Sequence, residues 1–164
     1  MKAYLDIETD RKGNMCVIGI FSEYNGFVQL YGKDITTNNV EMIMKNANTV
    51  VTFNGDSFDI PMIKKYLDLD LKVTHDSLDL FKVKKGLGIK GGLKELEKMF
   101  GIKRKTEGVN GYQAMLLWER YIRRGRVGEK DRLDALNLLL EYNKEDVLNL
   151  ISLEKILFGQ LKGE

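Results

Sequence analysis

The hydrophobic and polar positions at the start of the chain alternate: Ala3, Leu5 and Ile7 are apolar, and Tyr4, Asp6 and Glu8 between them are not. A period of two predicts a β-strand with two unlike faces. After the turn signal Arg11-Lys12-Gly13-Asn14, the apolar run Met15 to Phe21 predicts a second strand, and Asn25-Gly26 marks a hairpin before a third, Phe27 to Tyr31. Short turns between them imply an antiparallel meander. The pattern then changes. Val40, Ile43 and Met44 have helical spacing after possible caps at Thr36 to Asn39, and Thr49 to Phe53 is a short β-branched run. A strand, helix and strand in that order imply a parallel pairing.

The breaker Asn54-Gly55-Asp56-Ser57 precedes a helix running to about Leu67, with the single proline, Pro61, in its first turn. Val73-Thr74 reads as a further short strand. Lys84 to Gly92, with four glycines among lysines, reads as a mobile loop. Leu93 to Phe100, Tyr112 to Arg124 and Lys130 to Phe158 have helical periodicity, Trp118 falling at a core position of its helix. The layout predicts an α/β fold, a sheet with helices on its faces. The chain of 164 residues fits one domain, 1–164, able to bury about two-thirds of its unfolded surface.

Composition narrows the function classes. No apolar run approaches the ~20 residues that cross a membrane. With no secretory signal and Cys16 as the lone cysteine, a reducing cytoplasmic setting is expected, and with His75 as the lone histidine a Cys/His zinc site is excluded. The net charge of +2 hides an asymmetry: residues 82–132 hold 15 Lys and Arg against 6 Asp and Glu, a local surplus of nine. A basic segment on a slightly acidic body suggests a polyanionic partner.

Candidate chemistry starts at Asp6 and Glu8. Two residues apart on one strand face, they stand roughly 6–7 Å apart at the backbone. Like charges that close repel unless a cation lies between them, and a hard divalent ion takes oxygen ligands. An edge strand with a solvated acidic face is the plainer alternative. Asp59 lies just beyond a buried strand, where ligands gather in α/β sheets, although it could equally be a first-turn acid. Tyr142 and Asp146, four apart, share a helix face beside the apolar stripe of Leu138, Leu139, Val147, Leu150 and Ile151. Asp76 and Asp79 are more simply read as caps.

Asp6-Ile7-Glu8-Thr9, Asn54 to Asp59 followed by Ile60-Pro61, and Tyr142 to Asp146 together resemble the DEDD superfamily of 3′–5′ exonucleases, the DnaQ-like members of the RNase H-like fold. The first two segments look like those of family B DNA polymerase proofreading domains. Tyr142 matches the tyrosine branch, DEDDy, and the chain from about residue 3 to 155 looks most like the stand-alone YprB-like RNase H-like domain. The resemblance implies a five-stranded mixed sheet with its first three strands antiparallel and helices on both faces. It also implies two divalent ions, Mg²⁺ or Mn²⁺. Asp6 would bridge both, Glu8 and Asp146 would complete the shell of the one carrying the attacking water, and Asp59 would hold the other. Tyr142, with an ordinary pKa near 10, would orient the water rather than deprotonate it.

The implied substrate is single-stranded DNA or RNA with a free 3′ end. Thr9 and Asn54 would meet the terminal nucleotide. The strand would follow Lys84, Lys85, Lys90, Lys103, Arg104, Lys105, Arg123, Arg124 and Arg126, with Tyr112 or Trp118 available for base stacking. The competing readings are a non-catalytic nucleic-acid-binding module on the same scaffold and a structure-specific, metal-dependent endonuclease. A small-molecule phosphodiesterase would not need the basic segment. No protein partner is legible.

Overall fold

The computed structural model describes residues 1–162. Its five-stranded sheet has the order β3-β2-β1-β4-β5, formed by β1 (Lys2–Thr9), β2 (Met15–Ser22), β3 (Gly26–Tyr31), β4 (Thr49–Thr52) and β5 (Asp76–Asp79). The first three strands are antiparallel; β4 pairs in parallel with β1 and with β5. The strand bearing Asp6 and Glu8 is therefore the centre of the sheet, not an exposed edge.

The helices are α1 (Thr37–Met44), α2 (Asp59–Leu67), α3 (Leu71–Thr74), α4 (Leu80–Gly86), α5 (Leu93–Met99), α6 (Gly111–Ile122) and the 34-residue α7 (Glu129–Lys162). One sheet face carries Ala3, Leu5, Ile7, Ile18, Ile20 and Val50, and buries them against Val40 and Met44 of α1 and Ile60, Ile63 and Leu67 of α2. The other face meets α7: Val17 packs with Trp118, Leu139 and Tyr142, and Val51 packs with Leu96, Leu150 and Leu153. Tyr4, Asp6 and Glu8 belong to this second face by alternation.

Two expected elements differ. The strand expected at Val73-Thr74 is instead the helical turn α3, started by the Asp70 carboxylate accepting the Lys72 amide and anchored by buried Leu71. The fifth strand follows at Asp76–Asp79, where Asp76 and Ser77 are exposed and only Leu78 is apolar. The loop expected over Lys84 to Gly92 begins as the last turn of α4, which Asp79 caps through the Phe81 amide. Its lysines are helical as far as Lys85, and the irregular stretch starts only at Leu87.

Candidate metal centre and basic rim

The acids of the site come from three parts of the fold: Asp6 and Glu8 from β1, Asp59 from α2 and Asp146 from α7. β1 and β4 pair only from Lys2–Thr49 to Tyr4–Val51. Beyond Tyr4 the two strands part, and the Ile7 amide donates to Asp59 Oδ1, 3.1 Å away, at the first residue of α2. The turn that carries the chain from β4 into α2 is fixed by Asp79, whose carboxylate accepts the Asn54 amide at 2.7 Å and the Asp56 amide at 3.2 Å. Asn54 adopts φ +63°. A Cβ on Gly55 would stand 2.2 Å from Thr52 Oγ1, so the tightness of this turn requires glycine.

The last helix is brought down onto Asp6 by a second close approach. Gly19 is the register partner of Asp6, and a Cβ there would lie 2.4 Å from Asn143 Oδ1 and 3.0 Å from Val147 Cγ2. In the space left by that missing Cβ, buried Asn143 donates through Nδ2 to Asp6 Oδ2 at 2.9 Å and to the Asp6 carbonyl at 3.1 Å. Gln29 of β3 donates to Asn143 Oδ1 at 2.7 Å, which fixes the amide's orientation. Past Glu8, β2 takes an extra residue at Cys16, so Thr9 pairs with Met15. Bulges of this kind re-aim side chains beside sites.

Oxygens of Asp6, Glu8 and Asp146 consequently lie within 4.8 Å of one another. Asp6 is partly buried; Glu8, Asp59, Tyr142 and Asp146 are buried. Burial, then the charge of Asp146, pushes Asp6 well above the carboxylate range and Glu8 up to about 8; burial pushes Asp59 up to about 7. The Tyr142 hydroxyl is pushed far up by burial and then by Asp146, so it stays protonated. Acids held this way repel one another, which is the condition a multivalent cation relieves. The donor set, all oxygen and all anionic when ionised, fits a hard divalent ion such as Mg²⁺ or Mn²⁺.

Two side chains supply positive charge here, and neither was expected to meet the acids. Lys94 of α5 sets its ammonium 2.6 Å from both oxygens of Asp146 and 4.4 Å from the centre of the Tyr142 ring. Arg104, in the stretch between α5 and α6, reaches Asp146 Oδ1 at 2.6 Å. Lys94 could have been singled out only as one basic residue among fifteen. Asn143 carries the helical signal of sharing a face with Val147, which a reading centred on carboxylates passes over.

The basic segment divides. Lys85, Lys90, Lys103, Lys105, Arg123, Arg124 and Arg126 are exposed, as a strand-binding surface needs. Two expected strand contacts are not exposed. Lys84 is 6% exposed and lies 4.5 Å over the Phe81 ring, because its position in α4 faces inward. Arg104 is buried among Glu97, Glu145 and Asp146. Tyr112 is exposed, whereas Trp118 packs in the core between α6 and β2. Asn54 is exposed, and Thr9 is partly buried at the end of β1. Beside the carboxylates, between α5 and the stretch after it, lies a hollow of about 570 Å³ with Lys94, Lys98 and Lys103 on its walls.

A mixed sheet with a meander on one side, and acids from its central strand and last helix converging on one point, defines an RNase H-like protein. The chain matches the RNase_H_2 model over residues 3–158 and belongs to the RNase_H superfamily, a group of nucleases. Among solved structures it is similar to the family B DNA polymerase from the hyperthermophilic archaeon Pyrobaculum calidifontis. The TM-score is 0.71 at 15% identity, over 96% of this chain and 24% of that one. The chain thus spans about a quarter of the polymerase it matches. No curated protein matches it. Among the described residues, no helix is long and apolar enough to cross a membrane.

Proposed function

We propose that this chain is a metal-dependent 3′–5′ exonuclease of the tyrosine-bearing DEDD type, a single YprB-like domain that shortens single-stranded DNA or RNA. The observation that carries the reading is the meeting of Asp6, Glu8 and Asp146 oxygens within 4.8 Å, with Tyr142 one helical turn before Asp146. The membership of the chain in a nuclease superfamily supports it. The direction of cutting rests on the resemblance of the three acidic segments to the DEDD superfamily of 3′–5′ exonucleases.

In this reading Asp6, Glu8 and Asp146 would hold one divalent ion, and Asp6 and Asp59 would hold a second. Such ions would supply Lewis acidity, lowering the pKa of the attacking water and stabilising charge on the leaving oxygen. The chain's own groups do the rest. Tyr142, kept protonated, donates to and orients the attacking water instead of taking its proton. Asn143 holds the Asp6 carboxylate in one orientation. Exposed Lys85, Lys90, Lys103, Lys105 and the Arg123, Arg124 and Arg126 group neutralise the backbone of the strand. Asn54 and Thr9 contact the terminal nucleotide.

A 5′-labelled oligonucleotide incubated with Mg²⁺ or Mn²⁺ tests this. A ladder shortening from the 3′ end is expected, lost on Asp6→Ala or Asp146→Ala with the circular dichroism spectrum unchanged. Undiminished cutting in excess EDTA would sink the proposal. Degradation of circular single-stranded DNA would instead identify an endonuclease, and tight binding without turnover under any divalent ion would identify a binding module. A matched panel of DNA and RNA, single- and double-stranded, decides the polymer.

A further inference from the structure

Two cations meet Asp146, and they meet it in different ways. Lys94 arrives on a flexible stem, its side chain a third exposed, and Asp146 is its only carboxylate partner among the described residues. Arg104 arrives with its side chain 7% exposed and its guanidinium already gripped. Nη1 donates to both oxygens of Glu97, at 2.7 and 3.0 Å. Glu97 is 1% exposed and is held in turn by Asn149 Nδ2 at 3.1 Å. Nη2 also donates to the Tyr142 carbonyl at 3.4 Å. Glu145 Oε2 lies 3.6 Å from Nε, and Glu145 clamps the same stretch of chain by accepting the Lys105 and Thr106 amides and the Thr106 hydroxyl.

The charges make the distinction sharper. Glu97 and Glu145 lie outside the carboxylate cluster, and Glu97 alone already matches the Arg104 charge without any help from Asp146. A guanidinium present only to neutralise the cluster would have no use for two further acids, one of them fully buried. The planar fork of arginine can bridge two carboxylates at fixed angles, which the point charge of an ammonium cannot. Arg104 can therefore keep its hold on Asp146 Oδ1 when a divalent ion enters, while Lys94, with no second carboxylate, has to yield.

We propose that Arg104 is a positioning residue, a guanidinium braced by Glu97 and flanked by the charge of Glu145, that fixes Asp146 through Oδ1 and presents its remaining oxygen to the metal. This rests on the reading of Asp6, Glu8 and Asp146 as metal ligands. It assigns opposite parts to two cations on one carboxylate: Arg104 favours metal binding and Lys94 competes with it.

Calorimetric titration of Mn²⁺ into the full chain, without nucleic acid, tests the assignment. Arg104→Gln is expected to weaken Mn²⁺ binding about 10–100-fold, the range that partners of metal ligands command. Arg104→Lys is expected not to recover it, and Lys94→Gln to bind as tightly as the wild type or more so. If Arg104 serves only as a counter-charge, Arg104→Gln tightens binding as Lys94→Gln does and Arg104→Lys behaves as the wild type; either result overturns the proposal. Should Arg104→Gln fail to fold, Glu97→Gln removes the brace and leaves the arginine: a severalfold weakening supports the assignment and unchanged affinity overturns it. A wild type that binds no more Mn²⁺ than Asp6→Asn does overturns the metal reading and this assignment together. A wild type that binds, with the Arg104 variants unaffected, overturns this assignment alone.

Discussion

Asn143 Nδ2 lies 2.9 Å from Asp6 Oδ2 across 137 residues of sequence, and it makes this contact because residue 19 has no side chain. Gly19→Ala puts a methyl group where the Asn143 amide now sits. The expected cost is about 1–3 kcal/mol of stability, the range for an overpacked interior. Nuclease activity is expected to fall further than stability explains, by about 10²-fold for a displacement of roughly 1 Å at Asp6. Urea unfolding and steady-state rates measured on the same preparation separate the two effects.

Asn143→Ala removes the contact without adding bulk. The Asp6 carboxylate loses a donor, and the half-buried Gln29 amide keeps only the Leu140 carbonyl as acceptor. A loss of about 1–3 kcal/mol is expected for the unpaired groups. The kinetic signature is a lower kcat with little change in KM, since the residue holds a candidate metal ligand and does not face the strand. An unchanged kcat would show that Asp6 does not depend on this bond.

The metal-free protein is expected to lose stability as pH rises. Burial and mutual repulsion raise Asp6, push Glu8 up to about 8 and Asp59 up to about 7 in the folded state, whereas the unfolded chain titrates near pH 4. Between about pH 4 and pH 8 the folded state therefore holds more protons than the unfolded one, so stability is greatest at the acid end and drains away toward pH 8. The fall should be at least about 1.4 kcal/mol. Thermal melts in EDTA at pH 5 and pH 8 read it out, and saturating Mg²⁺ or Mn²⁺ should abolish it.

Asp59→Asn separates charge from hydrogen bonding. The amide oxygen can still accept from Ile7, so the entry to α2 is preserved. One of the repelling charges is gone, so the melting temperature in EDTA at pH 8 is expected to rise. Activity should fall by about 10²-fold or more, the scale of losing one preorganised electrostatic group. A variant both more stable and fully active would remove Asp59 from the proposed machinery.

The lysines of the basic segment should divide by exposure. Lys103→Ala is expected to weaken single-strand binding and reduce the slope of log affinity against log salt by about 1. Lys84→Ala should leave that slope unchanged and instead cost about 1 kcal/mol of stability through its lost contact with Phe81. Binding isotherms at several salt concentrations, alongside melts, distinguish them.

The four candidate acids and Tyr142 were visible in the sequence because each sits at a conspicuous local place: an alternating strand, a strand end, a helix face. The first four strands were visible through the alternation of β1, the apolar run of β2, the Asn25-Gly26 hairpin before β3 and the β-branched residues of β4. The fifth was not, because a strand reading Asp-Ser-Leu-Asp carries one apolar side chain and owes its place to parallel pairing with β4. The last turn of α4 was hidden by the glycines at 86 and 88, which outweighed the cap at Asp79 and the spacing of Leu80 and Val83. Lys94 and Asn143 were not legible as site residues, nor Arg104 as a partner of Asp146 instead of the strand contact it was expected to be, for a different reason. Each acts across at least 38 residues of chain, and nothing local distinguishes a lysine that will meet Asp146 from one that will meet solvent.

The descent of α7 onto β1 also fixes when the site can exist. A ribosome delivers Asp6, Glu8 and Asp59 early, and Tyr142, Asn143 and Asp146 only after most of the chain has been made. Until then the acidic face of β1 lacks both its third carboxylate and the amide that aims Asp6. On the proposed reading, a growing polypeptide of this sequence has no complete centre, and its cutting power arrives with α7.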